Sequence, residues 1–209
     1  MRWSVLDQSP ILSGHDAATA VRATVELARE VEAMGYHRFW MAEHHSSRAL
    51  ADPCPEILLT RVASATSRIR VGTGGVLLPY YSPLKVAEVF RMLEALFPQR
   101  VDLGIGRAPG SDSLTAQVLS GGAFYDFDQF PVHVRETVQF LDDTLPADHP
   151  YARVKAMPSG PTSPEVWLLG SSDYSATLAA YLGLRFSFAH FINAHGGDEV
   201  TRAFRASFR

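Results

Sequence analysis

Six times along this chain a short β-branched or aromatic run gives way to a loop and then to a segment of helical period. The strand-type runs are residues 3–6, 37–42, 69–76, 101–105, 165–169 and 185–189. The helical segments have recognisable ends. Residues 17–34 carry Val21, Val25, Ala28 and Val31 on one face and stop at Gly35. Pro55 and Pro83 stand at first-turn positions, where a missing N–H costs nothing, and Ser82 is placed to cap. Further helices are expected over 113–119, 129–145, 173–182 and 197–207. Strands joined in series through helices run parallel, with helices outside the sheet. A doubly wound sheet and a (β/α)8 barrel both satisfy that pattern. A complete barrel needs about 250 residues, and the 209 residues here fall short by about two βα units.

Composition narrows the function classes. The chain is 46% hydrophobic with a formal charge of −3, and its charges are mixed, so no basic face points to nucleic acid. No apolar run approaches the roughly 18 residues of a membrane span. The start reaches Asp7 too soon for a signal peptide. Cys54 is the one cysteine, which rules out an internal disulfide and suits a cytoplasmic protein.

In a parallel α/β protein the strand tips open onto the reactive face. The second run, Phe39-Trp40-Met41-Ala42, ends in Glu43, His44 and His45, which either do chemistry there or merely pair with one another. The third run contains Gly74-Gly75, read as a bulge or as bare backbone against which a flat ring can lie. After the fourth run, Gly104-Ile105-Gly106 leads to Arg107, a permanent cation on a glycine-rich loop and so either an anion site or half of a surface ion pair. The fifth opens through Gly170-Ser171-Ser172 into a helix bearing Ser175, either a phosphate cradle or an ordinary N-cap. Asp173 would repel a phosphate and is expected to point away. Arg107 and this cradle come from successive strands, so they are expected side by side. His190 follows the sixth run and is placed to line a pocket. His15, His133 and His149 are read as solvent or loop residues. No closed zinc spacing and no G-x-S-x-G elbow occurs, and no metal is expected.

These stretches resemble the luciferase-like flavin-dependent monooxygenases. The match runs through Leu6-Asp7-Gln8-Ser9-Pro10, Gly35-Tyr36-His37-Arg38-Phe39-Trp40 and Ala42-Glu43-His44-His45. It continues in the expected order through residues 65–72, Tyr81-Ser82-Pro83-Leu84-Lys85-Val86-Ala87-Glu88, Asp102-Leu103-Gly104-Ile105-Gly106-Arg107 and Leu169-Gly170-Ser171-Ser172. The resemblance implies a (β/α)8 TIM-barrel fold. Here that means a single domain over residues 1–209 with about six units, lacking strands seven and eight. It implies a homodimer that binds FMN and receives reduced flavin from a separate flavin reductase. Oxygen would then react through a C4a-peroxyflavin to oxygenate an aldehyde or similar small substrate. His44 matches the catalytic histidine. Gly74 and Gly75 match a cis peptide beneath the flavin. Arg107, Ser171, Ser172 and Ser175 match the phosphate site, and His190 a position beside the isoalloxazine.

Two features depart from the family pattern. The missing units leave strand edges to be covered. Pro109 has no N–H, so amides near Arg107 would come from Ala108 or Gly110. The loops 109–128 and 146–164 are expected to set substrate selectivity. Other readings are a flavin-binding protein without turnover, a non-native fragment of a longer monooxygenase, and a deazaflavin or direct NADPH route.

Overall fold

The computed structural model describes residues 1–107, 110–122 and 127–208. Seven parallel strands form one sheet: β1 (Ser4–Asp7), β2 (Arg38–Met41), β3 (Arg70–Thr73), β4 (Val76–Leu77), β5 (Val101–Gly106), β6 (Glu165–Gly170) and β7 (Arg185–Phe188). Strand order in space is β1-β2-β3-β5-β6-β7, with β4 also on β5. Spatial neighbours are therefore sequence neighbours, which is barrel winding; a doubly wound sheet would reverse direction partway. One cavity touches both edge strands, β1 through Leu6 and β7 through Phe188, so the sheet curls into an open half-barrel.

The helices are α1 (Ala17–Ala33), α2 (Pro55–Ala65), α3 (Pro83–Leu96), α4 (Ser113–Leu119), α5 (Phe130–Asp142), α6 (Asp173–Tyr181) and α7 (Gly197–Ser207). Asp16 caps α1 by accepting from the Thr19 N–H at 2.7 Å. The expected helix over 129–145 ends three residues early because Asp143 turns left-handed, at φ 55°. A short polar side chain tolerates that conformation.

Alternate strand residues face opposite ways. Phe39, Met41, Val71, Val101, Leu103, Ile105 and Leu168 pack against the helices and form the core. The intervening residues face the hollow and include Arg38, Trp40, Asp102, Gly104 and Trp167. Near the N-terminal strand ends these interlock. Asp102 is fully buried and accepts from Arg38 Nε at 2.8 Å, Arg70 Nε at 2.9 Å and Trp40 Nε1 at 2.9 Å. Glu165 accepts from Arg38 at 2.8 Å and pairs with Arg185 at 3.2 Å. Gly72 makes room for this arrangement, since a Cβ there would lie 2.7 Å from the Asp102 Cβ and 3.0 Å from the Trp40 ring.

Two expectations are corrected. The single strand over 69–76 is two strands, broken at Gly74-Gly75. The 146–164 segment joins α5 to β6, so it lies beyond the N-terminal strand ends, away from the tips. Arg91 holds it through the carbonyl of Thr162 at 3.2 Å, and Ala156 is buried in the core.

Candidate active site at the strand tips

The C-terminal tips enclose a cavity of about 650 Å³, within the roughly 300–1,000 Å³ usual for small-molecule sites. Its wall includes the residues matched above to catalysis and cofactor binding: His44, Gly74, Gly75, Arg107, Ser171, Ser172, Ser175 and His190. The apolar part comes from Leu6, Trp40, Leu77, Trp167, Leu169 and Phe188. The loop forecast is corrected here as well. No residue of 146–164 lines the cavity, and among the described residues of the other loop only Gly110 does. A helix-to-strand connection returns the chain to the opposite end of the sheet, whereas a strand-to-helix loop stays at the tips.

At one end of the cavity sits a candidate anion site. Arg107 leaves the tip of β5 and Ser171-Ser172 leave the tip of β6, and the two strands are paired. The Arg107 guanidinium lies 4.3 Å from the centre of the Tyr174 ring, a cation–π contact that holds it without neutralising it. Among the described residues no carboxylate pairs with Arg107. Ser172 occupies the N-cap position of α6, and its side chain makes no capping bond among the described residues. Ser175 is buried in the first turn of α6 and packs under Gly170, where a Cβ would meet its Oγ at 2.5 Å. Asp173 is exposed and stays off the cavity wall, as expected. The amides of Ala108 and the ring of Pro109 lie outside the described residues.

At the other end are the glycine floor and the histidines. The Gly74-Gly75 peptide is cis. The Gly74 N–H donates to the Met41 carbonyl at 2.7 Å, which ties the break in the strand to β2. A Cβ on Gly74 would meet Leu6 Cδ1 at 2.5 Å; one on Gly75 would meet the Gly104 carbonyl oxygen at 2.6 Å. The site is thus both a strand interruption and bare backbone facing the hollow.

The tip of β2 separates its three ionisable groups. Glu43 pairs with His45, Oε1 to Nε2 at 2.6 Å, and not with His44. His44 faces the cavity, with a buried Nδ1 that has no hydrogen-bond partner. Burial pushes its pKa below the ordinary imidazole value, against the pull of the Glu43 charge. It is poised as a neutral base or a weakly held proton donor. Its backbone N–H donates to the Asp52 carbonyl at 3.1 Å. Asp52 is itself buried, with one carboxylate oxygen unpartnered, and burial raises its pKa to about 6.

The remaining histidines fall away from the site. His133 lies within α5, against expectation, whereas His149 is a loop residue as expected and pairs with Glu136 at 3.2 Å. Among the described residues no three His, Cys, Asp or Glu side chains cluster as metal ligands. Sequence reasoning missed Tyr174, Tyr81 and Asp52. Tyr174 stood inside the serine-rich turn and was legible as a neighbour of the anion site. Nothing local marked Tyr81 or Asp52.

A sequence model of the family described as luciferase-like monooxygenase matches residues 1–209. N-acetyl-S-alkylcysteine monooxygenase of Bacillus subtilis (strain 168) is 44% identical over 208 residues, which is 100% of this chain and 62% of that protein. A luciferase-like monooxygenase of Escherichia coli (strain K12) is 45% identical over 207 residues, 99% of this chain and 61% of its own length. The crystal structure of apo-MsnO8 aligns at TM-score 0.91 and 43% identity, covering 100% of this chain and 61% of that one. More distant structures share the fold alone. The oxygenating constituent of 3,6-diketocamphane monooxygenase, solved with FMN, aligns at TM-score 0.70 and 20% identity over 89% of this chain and 56% of that one. An F420-dependent secondary alcohol dehydrogenase with an F420-acetone adduct aligns at 0.71 and 14% over 100% of this chain and 67% of its own. The chain spans about 62% of the length of the curated relatives it matches.

Proposed function

Because the chain belongs to the luciferase-like monooxygenase family, we propose that its cavity binds FMN and that it forms the flavin-binding part of a monooxygenase acting on a small organic substrate, an aldehyde or a similar compound. The observation that carries this reading is the pairing of an unneutralised cation, Arg107, with the serine-lined opening of α6 at one end of a cavity whose other end is bare glycine backbone and an imidazole. That donor set fits the phosphate and flat ring of FMN.

Arg107, Ser171, Ser172 and Ser175 hold the phosphate, with the free amides of the α6 N-terminus beside them. Gly74 and Gly75 support the ring, and His190 stands along its edge. Reduced FMN, when bound, supplies the electrons that activate oxygen. The protein's part is placement, dryness and protons. Trp40, Trp167, Leu169 and Phe188 keep water from the reacting face. His44 holds or passes a proton through an imidazole that burial keeps neutral near pH 7.

The wider assignments rest on the same reading. Reduced flavin comes from a separate reductase, and the protein works in the cytoplasm. Among the described residues no helix is long and apolar enough to cross a membrane. The chain pairs with a second copy through α2 and α3, whose outer faces carry exposed Ile57, Met92 and Leu96 along one groove edged by Glu56, Arg61, Lys85 and Glu88. Residues 1–209 form one domain of the family's barrel, and among the described residues β1 and β7 stand at the two ends of the strand order.

An anaerobic titration with FMN, oxidised and then reduced, tests the cofactor assignment. Reduced FMN is expected to bind, and F420 to compete poorly. Absence of binding in both states would remove the cofactor reading for this chain. The open edges favour a second reading, flavin binding without turnover; bound flavin that yields no product across a panel of aldehydes would select it.

A further inference from the structure

Glu43 has no part in the chemistry proposed above, yet it is fully engaged. Its side chain is 1% exposed. Oε2 accepts from the Leu77 N–H at 2.9 Å, and Oε1 accepts from the Tyr81 hydroxyl at 2.7 Å while facing His45 Nε2 at 2.6 Å. Both oxygens are consumed by protein donors, so the carboxylate has little left for a ligand.

The partners are informative. Leu77 lies two residues beyond Gly75, in β4, which among the described residues pairs only with β5. β3 has already ended at Thr73, so the Leu77 N–H has no strand partner on its other side, and the Glu43 carboxylate stands in for one. Two residues beyond Glu43, His45 donates its N–H to the Gly110 carbonyl at 3.3 Å, in the loop that follows Arg107. Gly110 lies so close to this turn that a Cβ there would be 3.1 Å from the Glu43 carbonyl oxygen. The Glu43 carboxylate joins the imidazole turn to the segment beyond the glycine floor, and the Arg107 loop packs against the backbone of the same turn.

We propose that Glu43 is a positioning residue that fixes His44 relative to the Gly74-Gly75 floor by holding the turn after β2 to β4 and Tyr81. This rests on the reading of His44 and the floor given above. Reach, more than charge, is what the role requires, because one carboxylate spans two donors on separate segments. Glu43→Gln keeps the length and an acceptor for Leu77. Glu43→Asp keeps the charge and shortens the arm by one methylene.

The test is an NMR spectrum of protein labelled in histidine, with the His44 signal assigned by its loss in His44→Ala. FMN affinity is measured on the same samples. Glu43→Asp is expected to displace the His44 signal while the His190 signal and FMN affinity stay near wild type. Glu43→Gln restores the His44 signal. In the full-length enzyme Glu43→Asp then lowers kcat with little change in KM, by up to roughly 100-fold if the imidazole moves by about 1 Å. An unmoved His44 signal in Glu43→Asp overturns the proposal. So does a parallel loss of the His190 signal, FMN affinity and thermal stability, which marks a general structural role. The NMR readout needs no flavin, so a protein that fails to bind FMN refutes the cofactor reading and leaves this inference to its own result. Should Glu43→Asp not fold, Tyr81→Phe removes one anchor and keeps the carboxylate. A smaller His44 displacement supports the proposal, and none overturns it.

Discussion

Arg38, Arg70, Asp102 and Glu165 stand at the N-terminal ends of the strands, and His44, Arg107 and Ser171 stand at the tips, only a few residues further along the same β2, β5 and β6. At the first end the chain supplies a partner for each charge: Asp102 takes both arginines and an indole N–H, and Arg38 also reaches Glu165. At the second end Arg107 leans on a tyrosine face and His44 Nδ1 has no partner. The same residue types close the core in one place and leave donors open in the other. A binding site can therefore be read as the place where the fold has left its polar groups unspent.

The largest effect should appear at the closed end. Asp102→Ala removes the buried acceptor shared by two guanidinium groups and an indole, and breaking a buried pair on one side costs about 3–5 kcal/mol. Urea unfolding should show that loss, or no folded protein, with the milder Asp102→Asn falling between. Arg107→Ala should change the unfolding free energy by less than about 1 kcal/mol, because among the described residues no carboxylate pairs with it. Equal losses for the two would break the distinction.

Asp52 sharpens it, as a tip carboxylate buried with one oxygen unpartnered. Burial, then the charges of Glu56, Glu43 and Asp7, lift its pKa from 3.8 to about 6. The folded state then holds a proton that the unfolded chain releases near pH 4. Stability from this group falls as pH rises from about 4 to 6 and stays low above that. Two pKa units bound the cost at about 3 kcal/mol. Asp52→Asn keeps an acceptor for the Cys54 N–H and removes the titration. It should be more stable than wild type at pH 8 and equal to it near pH 4. Equal stability at pH 8 would show that Asp52 is solvated there.

At the open end the effect should be on ligand and not on folding. A charge-assisted hydrogen bond is worth about 1.5–3 kcal/mol, so Arg107→Ala should weaken FMN binding roughly 10- to 100-fold, measured by fluorescence quenching. Tyr174→Leu removes the face on which the guanidinium rests and should weaken binding less. An Arg107 variant with unchanged affinity would leave the serine turn as the whole phosphate site.

The same contrast explains what was legible in the sequence. Elements set by local chemistry could be read: the helical period of residues 17–34, Pro55 and Pro83 at helix starts, and the glycines that end runs. The tips could be read because an apolar run that stops in ionisable residues is a local signal. Contacts between elements could not. The split of 69–76 depends on β2 capturing the Gly74 N–H, and the Glu43 clamp depends on Tyr81, 38 residues away in sequence. On sequence alone the 146–164 segment is expected to set selectivity because its prolines signal a long loop, but only the strand direction says on which end of the sheet that loop lies.

The smallest effect concerns His44. Its pKa is lowered by burial, with the Glu43 charge opposing and His45 assisting. At pH 8 the imidazole is neutral whether the chain is folded or not, and it contributes nothing to pH dependence. As pH falls through the ordinary value of 6.5 the unfolded chain takes up a proton that the folded chain refuses, so stability declines on the acid side. His44→Gln removes this uptake. The variant should match wild type at pH 8 and lose less stability between pH 7 and pH 5, by a margin read from paired urea curves. An acid-side loss as large in His44→Gln as in wild type would show that the imidazole is solvated when folded, and the unspent character of His44 would be lost.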